Sequence, residues 1–497
     1  MAAHNQASGD SMSKRNRREF LEQSMFAAAA AVAAGSAGAA WAADEKPASK
    51  SPNEKLGVAV VGTGGRGKDH LGTFSGRSDT EVLYVVDVDP KRAGAQAIAV
   101  AKKQGREPKI IEDMREAFDD KSVDIVTTAT PNHWHSLVSI WAIQAGKDVY
   151  VEKPVSHNVS EGRRVVEAAR KYNKICQTGT QCRSTKGMRD AMQYLHDGKI
   201  GKVKIARGLC YKRRPSIGPL GNYEIPKGVN YDLWLGPAQF APLTRRNLHY
   251  DWHMQLPYGN GDLGNQGIHQ MDLCRWGLGV DRLSDWVLSY GGRLGYEDAG
   301  DAANTQVIIH DYGDQALVFE VRGLATGPYM DASVGVIFEG TDGYLVMTSY
   351  SDGAAFDKEG KKVQEFRGSG DHYGNFLQAV RSRKREDLHA DIQEGHLSSA
   401  LCHLGNISWR LGTPMSIGEV KEKLKDIKSP EHLQETYGRF TEHLKDNKLD
   451  LETTKINWGL QLPIDSANEK FLNNSAADAL LTRDYRAPFI VPPAGQV

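Results

Sequence analysis

The sequence predicts an α/β chain: a doubly wound parallel sheet first, then an α+β half built on a large, mainly antiparallel open sheet. Three observations predict it. Short apolar runs alternate with helical patterns from Leu56 to Gln177, the texture of a sheet built from strand–helix–strand units. The first run leads directly into a glycine-rich turn, Gly62-Thr63-Gly64-Gly65-Arg66-Gly67. Beyond Gln181 half-buried strand patterns follow one another closely, with Asp342-Gly343 supplying a hairpin turn.

The bulk properties narrow the function classes. The chain has 497 residues, enough for two or three domains, and its 62 basic side chains equal its 62 acidic ones. That balance argues against nucleic-acid binding, which needs a basic excess. Five cysteines (Cys176, Cys182, Cys210, Cys274, Cys402) form no CxxC pair, so they suggest buried free thiols rather than zinc or a disulfide framework.

The first residues read as an address. Lys14 to Arg18 is basic, Met25 to Ala40 is a short alanine-rich apolar run, and Ala40-Trp41-Ala42 suits signal cleavage. Arg17-Arg18-Glu19-Phe20-Leu21 resembles the twin-arginine export motif. The expectation is a signal peptide over 1–43 and a flexible polar leader over 44–54. The mature protein would be periplasmic or extracellular, with no stable membrane insertion because the apolar run is too short.

From there the elements follow in order. Gly57 to Val61 is a buried strand, and a helix through His70 and Phe74 follows the glycine turn. Glu81 to Val86 is a second strand ending at Asp87, and Asp89 is placed to cap a helix opened by Pro90. Strands at 123–128, 147–151 and 174–177 then alternate with helices at 135–145 and 160–171. The pattern delimits a Rossmann domain over 55–178, whose site lies at the carboxyl ends of its strands.

The chemistry at those ends points to a dinucleotide. The first glycine permits a tight turn, the second admits a pyrophosphate, and the third lets helix and strand pack closely. Asp87 can accept hydrogen bonds from the adenosine ribose and would repel a 2′-phosphate, so NAD is favoured over NADP. Arg66, Lys91 and Arg92 keep NADP as the lesser reading. Thr130-Pro131-Asn132-His133-Trp134-His135 and Glu152-Lys153-Pro154 are polar clusters at two further strand ends. Cofactor contacts are therefore expected from Gly62, Thr63, Gly64, Gly65, Arg66, Gly67, Asp87, Thr130, Asn132, His133, His135, Glu152 and Lys153.

The glycine loop, Ala129 to His135 and Ala145 to Pro154 together resemble the Gfo/Idh/MocA oxidoreductases, over about Leu56 to Gly412. The resemblance implies a second α/β domain on a large open sheet, assembly into homodimers or homotetramers, and sugar or polyol substrates. It also implies that Lys153 lies near nicotinamide and substrate. Alcohol oxidation by hydride transfer must also remove the hydroxyl proton, and a lysine in a partly dry cleft beside a cationic ring is suited to take it.

In the second half, strands are expected at 203–211, 285–294, 305–310, 316–321, 334–338 and 344–349. One face of this sheet would meet the cofactor domain and the other would be free for a subunit interface. A helix from about Asp262 would put Asn265, His269 and Asp272 on one face, with Trp276 continuing the stripe. The family resemblance implies an aspartate and a histidine here, four residues apart. His269 matches, but Asn265 stands where the aspartate is expected and cannot accept a proton. Proton transfer would fall to Lys153 and His269, with Asp272 orienting the imidazole. Gln181, Arg183, Tyr250 and Trp252 are candidate substrate contacts, the last two from a polar-aromatic cluster at His249 to His253.

The substrate and oligomerisation domain is placed at 179–417, including helices at 371–381 and 396–411, and a helical and irregular extension at 418–497. No metal signature is present, and nicotinamide chemistry needs none. The reading is an exported NAD-dependent oxidoreductase for a secondary alcohol of a sugar, cyclitol or glycoside, with tightly bound cofactor. Its rivals are an NAD-dependent glycosidase or lyase working through transient oxidation, and a non-catalytic sugar-binding protein.

Overall fold

The computed structural model describes residues 54–497. The expected signal peptide, its cleavage site and all but the last residue of the leader lie outside the described residues.

The first sheet has six parallel strands: β1 (Leu56–Val61), β2 (Thr80–Val86), β3 (Lys109–Ile111), β4 (Ile125–Thr128), β5 (Asp148–Val151) and β6 (Cys176–Thr178). Their order is β3-β2-β1-β4-β5-β6, the order of a Rossmann fold, which reverses direction at β1 and opens a crevice there. β1, β4 and β5 are buried along their whole length, because helices cover both faces. Helices Gly65–Gly76 and Pro90–Gln104 pack Leu71, Phe74 and Val100 on one face; helices Asn132–Gln144 and Val159–Lys171 pack Leu137, Ile140 and Val165 on the other. Asp89 caps the second helix by accepting from the backbone N–H groups of Lys91 and Arg92. β3 was not expected. It is three residues at the sheet edge, too short and exposed to carry a periodic signal.

The second sheet runs β14-β13-β12-β11-β7-β10-β9-β8-β16-β15, with β17 on β8 and β18 on β17. The strands are β7 (Val203–Tyr211), β8 (Trp286–Gly292), β9 (Thr305–Asp311), β10 (Ala316–Arg322), β11 (Val334–Gly340), β12 (Gly343–Met347), β13 (Gly353–Asp357), β14 (Lys362–Phe366), β15 (Thr413–Ser416), β16 (Lys455–Trp458), β17 (Leu462–Asp465) and β18 (Lys470–Phe471). All neighbours are antiparallel except β7 and β10. Helices Ile268–Leu278 and Ile392–Arg410 bury Ile268, Met271, Leu401 and Leu404 against one face.

Two expectations change. The opposite face is not left free over β8 to β10. Ile417, Val420, Leu433, Tyr437 and Phe440 of the following segment cover Leu288, Tyr290, Ile309 and Val318 there. The stretch after 417 is therefore no appendage. It supplies β16 and β17 to the large sheet, and Phe489, Val491 and Val497 bury themselves in the core of the Rossmann domain. All five cysteines are buried and free. No helix among the described residues is long and apolar enough to cross a membrane.

Candidate active site

A cleft of about 520 Å³ runs along the carboxyl ends of β1, β2, β4 and β5. Gly62 to Arg66, Asp87, Thr130, Asn132, His135, Glu152 and Lys153 line one side. Lys212, Arg214, Trp234, His249, Asn265 and Gln266 come from the second half.

The glycine loop is shaped by contact, not only by composition. Gly62 holds φ +82°, and a Cβ on Gly67 would stand 1.9 Å from the Gly62 carbonyl oxygen. The helix that follows starts with no side-chain cap and no acidic residue in its first turn, which leaves its amino end open toward the cleft. Such an end suits a pyrophosphate. Asp87 is fixed rather than loose: Thr63 donates to Oδ2 from N (2.9 Å) and Oγ1 (2.7 Å), and Asp89 N donates to Oδ1 (3.0 Å). Two carboxylate oxygens accept about four hydrogen bonds, so room remains for a ribose hydroxyl. Asn132 Oδ1 is buried at the cleft wall without a partner, a polar atom that a bound ligand would satisfy. These features fit an NAD cofactor.

Arg66 does not point to the ribose end. It reaches Glu152 Oε1 (3.3 Å), Asp69 Oδ2 (2.7 Å) and the Tyr373 hydroxyl (3.3 Å). Lys91 does not line the cleft, so Arg92 alone carries the NADP argument onward.

At the far end Lys153 closes β5, and its bond to Pro154 is cis. Lys153 Nζ donates to the backbone oxygen of Asn265 (2.7 Å). Burial pulls the lysine pKa down; Glu152 opposes this, while Arg66 and Lys212 reinforce it. Burial also penalises the Glu152 carboxylate, but a hydrogen bond from His70 and the charges of Arg66 and Lys153 outweigh that and hold it below the ordinary range. His135 ties the motifs together, its ring nitrogens lying 2.6 Å from the Pro154 oxygen and 2.7 Å from that of Thr130.

Several expected residues stand elsewhere. His133 turns away from the cleft, its nitrogens facing the backbone oxygens of Trp234 (3.0 Å) and Tyr258 (3.4 Å), and burial lowers its pKa to about 3. The helix expected from Asp262 is two pieces, Gly261–Asn265 and Ile268–Leu278. His269 is buried and does not line the cleft; its ring meets that of Tyr350 at 5.1 Å, its Nδ1 has no partner, and burial and the lysine charge pull its pKa down. Asp272 does not orient that imidazole. It pairs bidentately with Arg183 (2.7 and 2.9 Å) and accepts from Ser398 Oγ (2.7 Å). Arg183 is thereby a buried structural cation, also over the Trp276 ring at 5.0 Å, and no substrate contact. Gln181 donates to Glu152 Oε1 (3.2 Å) and does not line the cleft; Tyr250 and Trp252 do.

Sequence reasoning missed Lys212, Arg214 and Gln266. Arg214 donates to Asp262 at 2.7 and 2.8 Å and to the Tyr250 hydroxyl at 2.9 Å, and Lys212 Nζ donates to Gln266 Oε1 at 3.2 Å. The basic run Lys212-Arg213-Arg214 directly after a strand was the available signal.

A model of the oxidoreductase family NAD-binding Rossmann fold matches residues 56–180, and one of the family's C-terminal alpha/beta domain matches 216–444, together most of the chain. The chain belongs to the Gfo/Idh/MocA oxidoreductase family. Levoglucosan dehydrogenase of Pseudarthrobacter phenanthrenivorans is 26% identical over 274 residues, 52% of this chain and 63% of that protein. The scyllo-inositol 2-dehydrogenase (NAD(+)) of Bacillus subtilis is 27% identical over 310 residues, 60% of this chain and 78% of its own length. The chain spans from half to less than two thirds of the length of the first curated relatives it matches. Among solved structures, the WlbA dehydrogenase of Bordetella pertussis, crystallised with NADH and UDP-GlcNAcA, aligns with TM-score 0.53 at 19% identity, covering 71% of this chain and 95% of that one. At that identity the likeness is one of fold. Within this Gfo/Idh/MocA chain, the Rossmann cleft is the cofactor site and its Lys153 end is the candidate reaction centre.

Proposed function

We propose that this chain transfers a hydride between NAD and a secondary alcohol of a sugar, cyclitol or glycoside. The observation that carries the reading is Lys153: a part-buried amine at a strand end of the cofactor cleft, held by the Asn265 backbone oxygen, with its pKa lowered by desolvation. Glycine loop, helix amino end and Asp87 would hold NAD, which supplies the hydride acceptor. Lys153, anchored by the Asn265 backbone oxygen, takes the hydroxyl proton in its neutral form. Because Asn265 acts here through its main chain, the missing carboxylate does not remove the lysine anchor. Lys212 and Arg214 offer hydrogen-bond donors to substrate oxygens at the mouth, and Tyr250 and Trp252 offer aromatic faces. The dehydrogenase names of the relatives support the substrate class.

Twin-arginine export, periplasmic or extracellular residence and homo-oligomeric assembly belong to the same reading. Outside the cytoplasm a dissociable cofactor would be lost, so we place NAD in the enzyme through turnover, with a second, carbonyl substrate taking the hydride back from the bound NADH.

The test is a screen of sugars, cyclitols and glycosides with the purified chain, following nicotinamide absorbance and aglycone release together. With the alcohol substrate alone, an absorbance change stoichiometric with the bound NAD is expected. Lys153→Ala should still bind NADH while turnover falls about a hundred- to ten-thousandfold. Aglycone release without net absorbance change would replace the dehydrogenase by the transient-oxidation reading. Unchanged sugar binding with no turnover in either protein would leave a binder.

A further inference from the structure

The wall opposite the nucleotide loops is the long segment 212–260 between β7 and helix Gly261–Asn265. It has a core of its own, in which Tyr231, Trp234, Leu243, Leu248 and Tyr258 bury one another. The fully buried Arg245 lies 4.7 Å over the Trp234 ring and 5.1 Å over that of Tyr258. At its base the wall is fixed to helix Asn132–Gln144. Trp134 Nε1 donates to the Leu233 oxygen (2.9 Å), and the His133 ring meets that of Trp234 at 5.3 Å. Arg486 of the C-terminal tail holds the same base through the backbone oxygens of Asp232 (2.7 Å) and Gly236 (3.1 Å).

At its other end the wall crosses the cleft to the segment that follows β2. Asn230 N donates to the Val88 oxygen (2.9 Å), Asn230 Nδ2 donates to Glu112 Oε2 (3.2 Å), and His249 Nε2 lies 3.0 Å from Asp89 Oδ2. Val88, Glu112 and His249 line the cleft beside Asp87, at the end where the adenosine would lie. At the base the His133 and Trp234 rings are buried while the Arg486 contacts reach the surface; Asn230 and His249 at the other end are part-buried. The bridge at the adenosine end rests on two side-chain contacts, Asn230 with Glu112 and His249 with Asp89, beside the backbone bond of Asn230.

We propose that Asn230 and His249 latch the 212–260 wall over the adenosine end of the cleft, so that these side chains set the rate at which the dinucleotide leaves. The proposal rests on the reading of the cleft as an NAD site and gives cofactor retention a structural basis. The hydrogen bonds concerned are few and individually modest, so the latch slows escape without making it irreversible.

The experiment loads the full chain with NADH, chases it with excess NAD+, and follows loss of bound-NADH fluorescence. The Asn230→Asp/His249→Ala double variant, in which an aspartate still caps the Leu233 N–H but no longer donates to Glu112, should release NADH about tenfold faster than the parent, with little change in the unfolding midpoint. His249→Gln, which keeps an N–H donor, should release more slowly than His249→Ala. Equal release from a folded double variant and the parent overturns the latch. If the double variant does not fold, equal release from His249→Gln and His249→Ala overturns it instead. A parent chain that binds no NADH at all defeats the NAD-site reading itself, a separate result from a bound cofactor with unaltered release.

Discussion

At the end of β5 a carboxylate and an ammonium are neighbours in sequence and opposites in role. Glu152 is saturated with donors from His70, Arg66, Gln181 and the Lys153 backbone, so it is a fixed negative charge. That charge favours protonated Lys153, while burial, Arg66 and Lys212 disfavour it. Alcohol oxidation needs neutral Lys153, so kcat/KM should rise with pH through the lysine pKa. Glu152→Gln removes the larger of the two charges, Glu152 and Asp262, that support the ammonium, and the acid limb should move to lower pH. A pH–rate profile with the limb unmoved or moved upward would reject Lys153 as the proton acceptor. The Glu-Lys-Pro motif was legible as a reactive cluster because three unusual residues sit together at a strand end. The partners of Glu152 were not, since His70, Arg66 and Gln181 reach it from elsewhere in the chain.

At the scale of elements, the helix after Asn260 shows what spacing alone conveys. Residues 265, 269 and 272 were expected on one helical face, but the helix breaks at Gln266 and Gly267, where a Cβ on Gly267 would stand 2.5 Å from the Leu263 oxygen. Asp272 then faces Arg183, an ion pair with both side chains almost wholly buried. Removing one partner of such a pair strands the other, at a cost of about 3–5 kcal/mol. Arg183 keeps Glu394 at 3.1 Å, which draws the expected loss toward the lower figure. Asp272→Ala should therefore lose stability by denaturant unfolding while turnover per folded molecule stays within about twofold, below the hundredfold scale of a lost proton-transfer group. A stable variant with lost turnover would return Asp272 to the chemistry. The strands β13 to β18 escaped notice for a different reason. Most are two to five residues with exposed or half-exposed positions, and their pairing partners, not their composition, make them strands.

Over the whole molecule, the C-terminal segment decides more than its composition suggests. Phe489 is buried edge-on against Trp134 (5.4 Å), and Trp134 lines the cofactor cleft. Arg486 lies 5.0 Å over the Phe489 ring while gripping the base of the 212–260 wall. One short tail thus braces the cofactor domain and the wall opposite it. Phe489→Ala should cost about 3–5 kcal/mol in denaturant unfolding. An unaltered unfolding free energy would mean the tail is a passenger.

The sequence by itself determined the alternation of β1, β2, β4, β5 and β6 with their helices, the glycine turn, Asp87 at the end of β2, and Lys153 at the end of β5. These rest on local rules: periodicity of apolar side chains, the turn that glycine alone permits, and strand ends that must open toward one crevice. Only the tertiary structure decided that Arg66 serves Glu152 rather than a phosphate, that Asp272 belongs to Arg183, and that the 212–260 segment walls the cleft with the tail bracing it. Each of those depends on burial and pairing between residues tens to hundreds of positions apart, where the partner that satisfies a charge is chosen by packing and leaves no mark in the local pattern.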